Sequence, residues 1–259
     1  MNIKKIALDL FDLDENRKCR CGGEHEICLQ CVYCRFGEKD QLAETDNLAC
    51  LIDHTALKAV SSEEDINKLC DEAEKYKFAS VCINPTNIEH AKERLKTVPV
   101  CTVIGFPLGA NTAQAKIMET SDACKSGAEE IDMVINIAGM LDKKYDKVYN
   151  EIKRIADTCR NHGSLLKVIF ENCYLTQEDI VKAALISKKA GAEFIKTSTG
   201  FGTSGAKTED VRLMRRVAGP KIGVKAAGGI RDAETAVSMI KAGANRIGAS
   251  ASLSIIGVK

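Results

Sequence analysis

The chain has 259 residues, 45% hydrophobic and 28% charged, with a formal net charge of +1 at pH 7, a balance that suits one large globular domain and gives no electrostatic reason for a nucleic acid or an anionic membrane as partner. The opening "MNIKKIALDLFDLDEN" is broken by acidic residues, and no stretch reaches the roughly 18 apolar residues that a spanning helix needs. The expectation is a cytoplasmic protein with neither membrane nor nucleic acid as a partner.

Twelve cysteines are unevenly placed, five of them within the first 34 residues. A secreted disulfide framework goes with a short, core-poor chain, so reduced thiols are the default here. "CRCGGEHEICLQCVYC" holds Cys19, Cys21, His25, Cys28, Cys31 and Cys34, six soft ligands in sixteen residues. Zinc needs four thiolates or imidazoles in a tetrahedron, and Cys19 and Cys21 with two of Cys28, Cys31 and Cys34 meet that need. An iron–sulfur cluster also uses closely spaced thiolates, but a terminal Cys-Pro is missing. A segment without stable metal is the third alternative. We therefore expect a cysteine-rich N-terminal extension over 1–46, with a structural zinc, and a second unit over 47–259.

Beyond residue 46 a short β-branched run is followed again and again by a polar-apolar stretch of helical period. Candidate strands start near 49 ("ACLID"), 78 ("FASVCIN"), 100 ("VCTVIGF"), 129 ("EEIDMVIN"), 165 ("LLKVIFEN"), 193 ("EFIKTS"), 221 ("KIGVKAA") and 244 ("NRIGAS"). Between them, "SSEEDINKLCDEAEKYK" opens on Ser62 with Glu64 in its first turn, and "TQEDIVKAALISKKAGA" opens on Thr176 and closes on Gly191. Eight strand–helix units in about 210 residues predict an α/β fold, a (β/α)8 TIM barrel. An open doubly wound sheet would show GxGxxG after its first strand, and "LIDHTALKAVSS" has none.

Chemistry in such a barrel belongs at the carboxyl ends of the strands, on inward-pointing side chains. Strand alternation puts Phe194, Lys196 and Ser198 on one face, Gly223, Lys225 and Ala227 on another, Asp132, Val134 and Asn136 together, and Lys167, Ile169 and Glu171 together. If these faces are inner ones, Lys196 and Lys225 meet near the mouth. A lysine beside a second cation, partly removed from water, has its pKa pushed down, and the neutral amine attacks a carbonyl to form a Schiff base. The bland alternative for either lysine is a stem packed on the sheet with its ammonium in solvent or on a carboxylate. Asp132 and Asp53 offer counter-charge and proton transfer. A structural ion pair is the alternative for both, and a turn cap through His54 and Thr55 a further one for Asp53. "KAAGGIRDAE" places Gly228 and Gly229 between strand seven and a helix, "RIGASAS" brings Ser250 after strand eight, and "STGFGTSG" adds Gly200, Gly202 and Gly205. Loops at those places form a common phosphate site in barrels, and a bland tight turn is the alternative.

In order along the chain, "LIDHTALK", "VCINP", "IGFPLGAN", "EEIDMVIN", "LLKVIFENCYLT", "FIKTSTGFGTSGAKTEDVRLM", "GVKAAGGIRD" and "RIGASAS" resemble the 2-deoxyribose-5-phosphate aldolases over about residues 48 to 254. The resemblance implies a class I aldolase that needs no cofactor for catalysis and reversibly cleaves 2-deoxy-D-ribose 5-phosphate to D-glyceraldehyde 3-phosphate and acetaldehyde. It makes Lys196 the Schiff-base nucleophile, Lys225 the neighbouring cation, Asp132 the proton donor and acceptor, and Asp53 a support for that relay. It places Gly200, Gly228, Gly229 and Ser250 at the substrate phosphate, and it implies a homodimer. Two departures stand out. Paired serines are usual where this chain has Ser250 and Ala251, so Ser252 or no residue supplies the second hydroxyl; and the usual tail ending in tyrosine has no counterpart after a last helix of about two turns. The scattered Cys50, Cys70, Cys82, Cys101, Cys124, Cys159 and Cys173 read as small hydrophobes, with Cys82 and Cys173 near strand ends where an aldehyde could reach them.

Overall fold

The computed structural model describes residues 1–11 and 47–258; the zinc expected on Cys19, Cys21, Cys28, Cys31 and Cys34 lies outside the described residues. The strands are β1 (Ile52–Ala56), β2 (Ser80–Ile83), β3 (Val100–Ile104), β4 (Glu130–Val134), β5 (Leu165–Ile169), β6 (Phe194–Lys196), β7 (Gly223–Ala227) and β8 (Arg246–Ala249). They pair in parallel and in chain order, and β8 returns to β1 to close the barrel. The helices are α1 (Ile3–Phe11), α2 (Glu63–Tyr76), α3 (Ile88–Arg94), α4 (Ala113–Lys125), α5 (Ile137–Leu141), α6 (Tyr145–His162), α7 (Gln177–Ala190), α8 (Thr208–Ala218), α9 (Ala233–Lys241) and α10 (Ser252–Ile255). This is the (β/α)8 barrel that the sequence predicts.

Two boundaries differ from the sequence reading. Leu48–Leu51 forms a 3-10 turn rather than the start of a strand, because the Asn47 side chain accepts from the Ala49 N–H and caps it. The last helix, α10, has one turn rather than about two; Ile256 caps it and Gly257, at φ 77°, comes next. α2 opens on Ser62 with Glu64 in its first turn, as the sequence predicts, and Asp65 completes a capping box: the Ser62 hydroxyl accepts from the Asp65 N–H while the Asp65 carboxylate accepts from the Ser62 N–H. Thr176 and Asp179 make the same capping box on α7, which Gly191 ends at φ 94°.

Strand alternation divides the barrel into two environments. Outward residues such as Ile52, Val81, Ile83, Ile131, Val168, Ile195, Val224 and Ile247 join the helices in one apolar core. Inside, Cys82, Cys101 and Val103 make a small separate cluster with Leu57, against which Phe106 packs. The remaining inward side chains of the middle layer are charged, where barrels ordinarily place branched aliphatic ones. The end of β4 is held from outside by a buried ion pair. Lys116 of α4 donates to the Val134 carbonyl at 2.8 Å and pairs with Glu151 of α6 at 3.0 Å, and Glu151 accepts from the Asn136 N–H at 3.2 Å. Among the described residues no helix is long and apolar enough to cross a membrane.

Thr176→Ala removes the hydroxyl that accepts from the Asp179 N–H and leaves the backbone half of the α7 capping box in place, and is expected to destabilise the barrel by about 1 kcal/mol; urea unfolding measures it, and an unchanged midpoint would contradict the assignment.

Candidate active site

Register brings the charged side chains of the interior to one level. Lys196 on β6 is the direct neighbour of Lys225 on β7, Asp132 on β4 that of Lys167 on β5, and Lys225 that of Arg246 on β8. A carboxylate separates the two lysines that the sequence pairs: Asp132 Oδ2 accepts from Lys196 Nζ and from Lys225 Nζ, each at 2.7 Å. Its other oxygen, Oδ1, accepts from Lys167 Nζ at 2.9 Å and from the Cys101 thiol at 3.2 Å.

The network continues below. Asp53 pairs through Oδ2 with Lys225 at 2.5 Å and with Lys167 at 3.5 Å, and through Oδ1 with Arg246 at 2.5 Å. It therefore stands inside the barrel and does not cap a turn. Glu130 pairs with Lys167 at 2.5 Å and Arg246 at 3.0 Å. Four cations thus face three carboxylates, and one positive charge is in excess. Lys167 and Lys225 are fully buried, and Lys196 keeps 2% exposure, so Lys196 is the lysine nearest the mouth.

The electrostatics follow from this density of opposite charge. Burial by itself would raise the Asp132 carboxyl, but the ammonium groups of Lys167, Lys196 and Lys225 outweigh it and hold Asp132 well below the usual carboxylate range. Asp53 is lowered in the same way: burial opposes ionisation, and Lys167, Lys225 and Arg246 prevail. Burial would lower Lys225 and Lys167, yet Asp132 and Asp53 keep both above the ordinary lysine value.

The glycines that the sequence assigns to a phosphate lie on the rim beside this cluster. Gly200, Gly228 and Gly229 have φ of 90°, 87° and 79°, left-handed backbone that glycine adopts without strain. A Cβ on Gly228 would lie 2.9 Å from the Gly205 Cα and 3.5 Å from the Gly200 Cα, so the loops after β6 and β7 touch backbone to backbone. Ser250 is exposed just after β8. Ser252 is not on the rim: it is buried, donates to the Ala249 carbonyl at 2.9 Å and sits 2.8 Å from His54 Nδ1. Of the two alternatives for a second hydroxyl, Ser252 or no residue, that burial removes the first. Of the two cysteines placed near strand ends, Cys82 is fully buried and Cys173 half-buried.

Sequence reading assigned no site role to Lys167, Glu130, Arg246, Cys101 and Glu171. Lys167 carries the same anomaly as Lys196, a lysine inside an apolar strand, and alternation alone put it on an inner face. Glu171 adopts φ 56°, and its carboxylate accepts from the Thr199 hydroxyl and from the Thr199 N–H at 3.3 Å; Thr199 Oγ1 accepts from the Phe201 N–H at 3.0 Å. This holds the glycine-bearing loop after β6 onto β5. Across the mouth Phe201 meets Phe106 edge to face, centroids 5.3 Å apart. The arrangement as a whole sets a lysine amine near the mouth, a carboxylate within one proton transfer of it, a second ammonium on the same oxygen, and left-handed glycine turns nearby.

Comparison with known proteins points to one family of aldolases. The family model "DeoC/LacD family aldolase" matches residues 48–258. A deoxyribose-phosphate aldolase of an Exiguobacterium species is 58% identical over 212 residues, 81% of this chain and 95% of its own. Among solved structures, one described as "QR15, an Aldolase" superposes with a TM-score of 0.79 at 44% identity, covering 82% of this chain and 95% of its own. The deoxyribose phosphate aldolase of Aeropyrum pernix, a tetramer, superposes with a TM-score of 0.75 at 30% identity, covering 98% of this chain and 95% of its own.

Removing one member of a buried ion cluster strands the others, so Lys167→Met is expected to cost about 3–5 kcal/mol of stability. Asp132, lowered from 3.8, contributes its ion-pair stability above that value and loses it only as pH falls below; Lys167, raised from 10.5, contributes fully below that value and loses it only as pH rises beyond. The deficit of Lys167→Met is therefore constant from about pH 5 to about pH 9, and urea unfolding that showed it varying across this window would refute the charge assignment.

Proposed function

Because the chain belongs to the DeoC/LacD family of aldolases, we propose that this enzyme, an aldolase acting on deoxyribose phosphate, cleaves 2-deoxy-D-ribose 5-phosphate reversibly to D-glyceraldehyde 3-phosphate and acetaldehyde through a Schiff base on Lys196. The observation that carries the reading is the single oxygen, Asp132 Oδ2, held 2.7 Å from both Lys196 Nζ and Lys225 Nζ. That geometry supports the reading because the proposed nucleophile, proton acceptor and fixed cation belong to one hydrogen-bonded unit.

Loss of one proton leaves the four-cation, three-carboxylate cluster neutral, and Lys196 is the lysine open to the mouth. Its free amine adds to the C1 carbonyl of the open-chain sugar. The carbinolamine loses its hydroxyl as water with protons passed through Asp132, and a protonated imine remains. Removal of the C3 hydroxyl proton breaks the C2–C3 bond: C3 becomes the aldehyde of glyceraldehyde 3-phosphate, and the electron pair moves into the iminium to give an enamine. Protonation at C2 and addition of water then release acetaldehyde and the lysine. Lys225 stays charged beside the amine, and Asp53 fixes Lys225 from the opposite side. No step draws on a cofactor.

Gly200, Gly228, Gly229 and Ser250 are the phosphate-facing groups of the proposal. Backbone N–H groups of left-handed glycines turn toward an anion without a side chain between. A homodimer belongs to the same proposal, and sedimentation equilibrium of the purified chain tests it.

Borohydride reduction in the presence of acetaldehyde should place an alkyl adduct on Lys196, read by peptide mass mapping, and no adduct on folded protein would end the proposal. Asp132→Asn should lower kcat by about 10²- to 10⁴-fold. Gly228→Ala, which drives a Cβ toward the Gly205 backbone, should raise KM for the phosphorylated sugar while trapping by acetaldehyde persists; equal loss of both would remove the phosphate role.

A further inference from the structure

Facing the lysines across the barrel is a constellation that the aldol chemistry leaves half used. Cys82 on β2, Cys101 on β3 and Asp132 on β4 come from three consecutive strands, and their ligand atoms all lie within 4.8 Å of one another, all three residues being buried. Cys82 and Cys101 are register partners, so their side chains leave adjacent parallel strands side by side. Adjacent strands lie about 4.8 Å apart, wider than the Cβ separation of about 3.8 Å that a disulfide prefers. Two thiolates on a tetrahedral ion are less demanding, since metal–sulfur bonds of about 2.3 Å set the sulfurs roughly 3.8 Å apart on flexible Cβ–Sγ arms.

We propose that Cys82, Cys101 and Asp132 form a binding site for a thiophilic divalent cation, zinc or cadmium, and that its occupation inhibits the enzyme by engaging the Asp132 carboxylate. The inhibitory half rests on the role given to Asp132 above; the binding half does not. The step involves no oxidation. Each doubly charged cation enters as two thiol protons leave, so the net charge of the interior is unchanged despite the three lysines nearby. Lys167 gives up its contacts to Cys101 Sγ (3.1 Å) and Asp132 Oδ1 (2.9 Å) but keeps Glu130 at 2.5 Å and Asp53 at 3.5 Å, and so is not stranded as an unpaired buried charge. Lys196 and Lys225 compete for the other oxygen of the same carboxylate. Three protein ligands leave a fourth position to water. Because two protons are released per ion, the apparent affinity rises with pH by up to about a hundredfold per unit while both thiols are protonated.

The test uses the full reduced chain. Cadmium chloride is titrated while the thiolate–cadmium ultraviolet band is followed, for the parent and for Cys82→Ala, Cys101→Ala and the corresponding serine variants, which keep the side-chain volume should alanine destabilise the barrel. The cysteines of residues 1–46 are present in every protein, so the difference between parent and variant reports this site alone. The expected result is about one cadmium fewer per chain in each variant. In parallel, the zinc concentration that halves the cleavage rate, taken relative to each protein's own metal-free rate, should rise about tenfold or more, and EDTA should restore the parent. Equal cadmium stoichiometry in parent and variants overturns the site. So does inactivation that EDTA leaves in place and dithiothreitol reverses, with Cys82 and Cys101 joined as a disulfide in the peptide map. Failure of imine trapping on Lys196 would remove the aldolase reading yet leave the cadmium difference intact, whereas a vanished cadmium difference with trapping preserved removes only the metal site.

Discussion

The constraint on which the rest depends is that a barrel interior must be filled, and this one is filled partly with ions. Desolvating a charge costs several kcal/mol even after relaxation, and the middle layer holds Asp53, Glu130, Asp132, Lys167, Lys225 and the head of Lys196. Such a layer is tolerable only when every charge has an opposite neighbour at contact distance, which fixes strand register and side-chain direction together. A slip of one residue on β4 would send Asp132 to the helix side and leave three lysines facing each other. The geometry of the proposed reactive centre is therefore enforced by the same electrostatics that make the interior stable.

Around this layer the molecule separates labour by direction. Outward faces of the strands and inward faces of the helices form the apolar core that supplies most of the burial. The loops beyond the carboxyl ends carry the groups proposed for recognition, left-handed glycines after β6 and β7 and an exposed serine after β8, together with an aromatic pair between the β3 and β6 loops. Buried polar ties link these levels. Lys116 and Glu151 fasten the end of β4 to its helices, and Glu171 fastens the loop after β6 to β5. Both act on segments that carry Asp132 or the glycine turns, so these ties consist of charges shielded from solvent rather than of exposed salt bridges, which contribute little.

Much of this was legible before any coordinates. Alternation between β-branched runs and helical stretches located all eight strands to within about three residues, because β-propensity and amphipathic period agree with the fold throughout. The exception at Leu48–Leu51 came from a local side-chain cap, which no period reveals. Lys196, Lys225 and Asp132 stood out because a charged residue inside an apolar strand demands a reason. Lys167 stood out equally, but its partners depend on register between β4 and β5, and register between parallel strands joined by a helix is not encoded in either strand alone. Arg246 and Glu130 were hidden for a related reason: each lies at a strand's beginning, where a charge looks like an ordinary boundary. Between the two alternatives for a second hydroxyl, Ser252 or no residue, the motif could not choose, because the choice turns on one short turn of helix that buries Ser252 against His54.

That seam between β8 and β1 bears on how the protein comes into being. Arg246 contacts Asp53, and Ser252 contacts His54, so residues nearly two hundred positions apart close both the ring and the ionic layer. While the polypeptide is still emerging from the ribosome, the earlier strands present carboxylates that have no Arg246 to meet and a free edge on β1. Closing that seam is thus a late event in synthesis, and the nascent chain spends its long wait with the most polar part of its future interior still open to water.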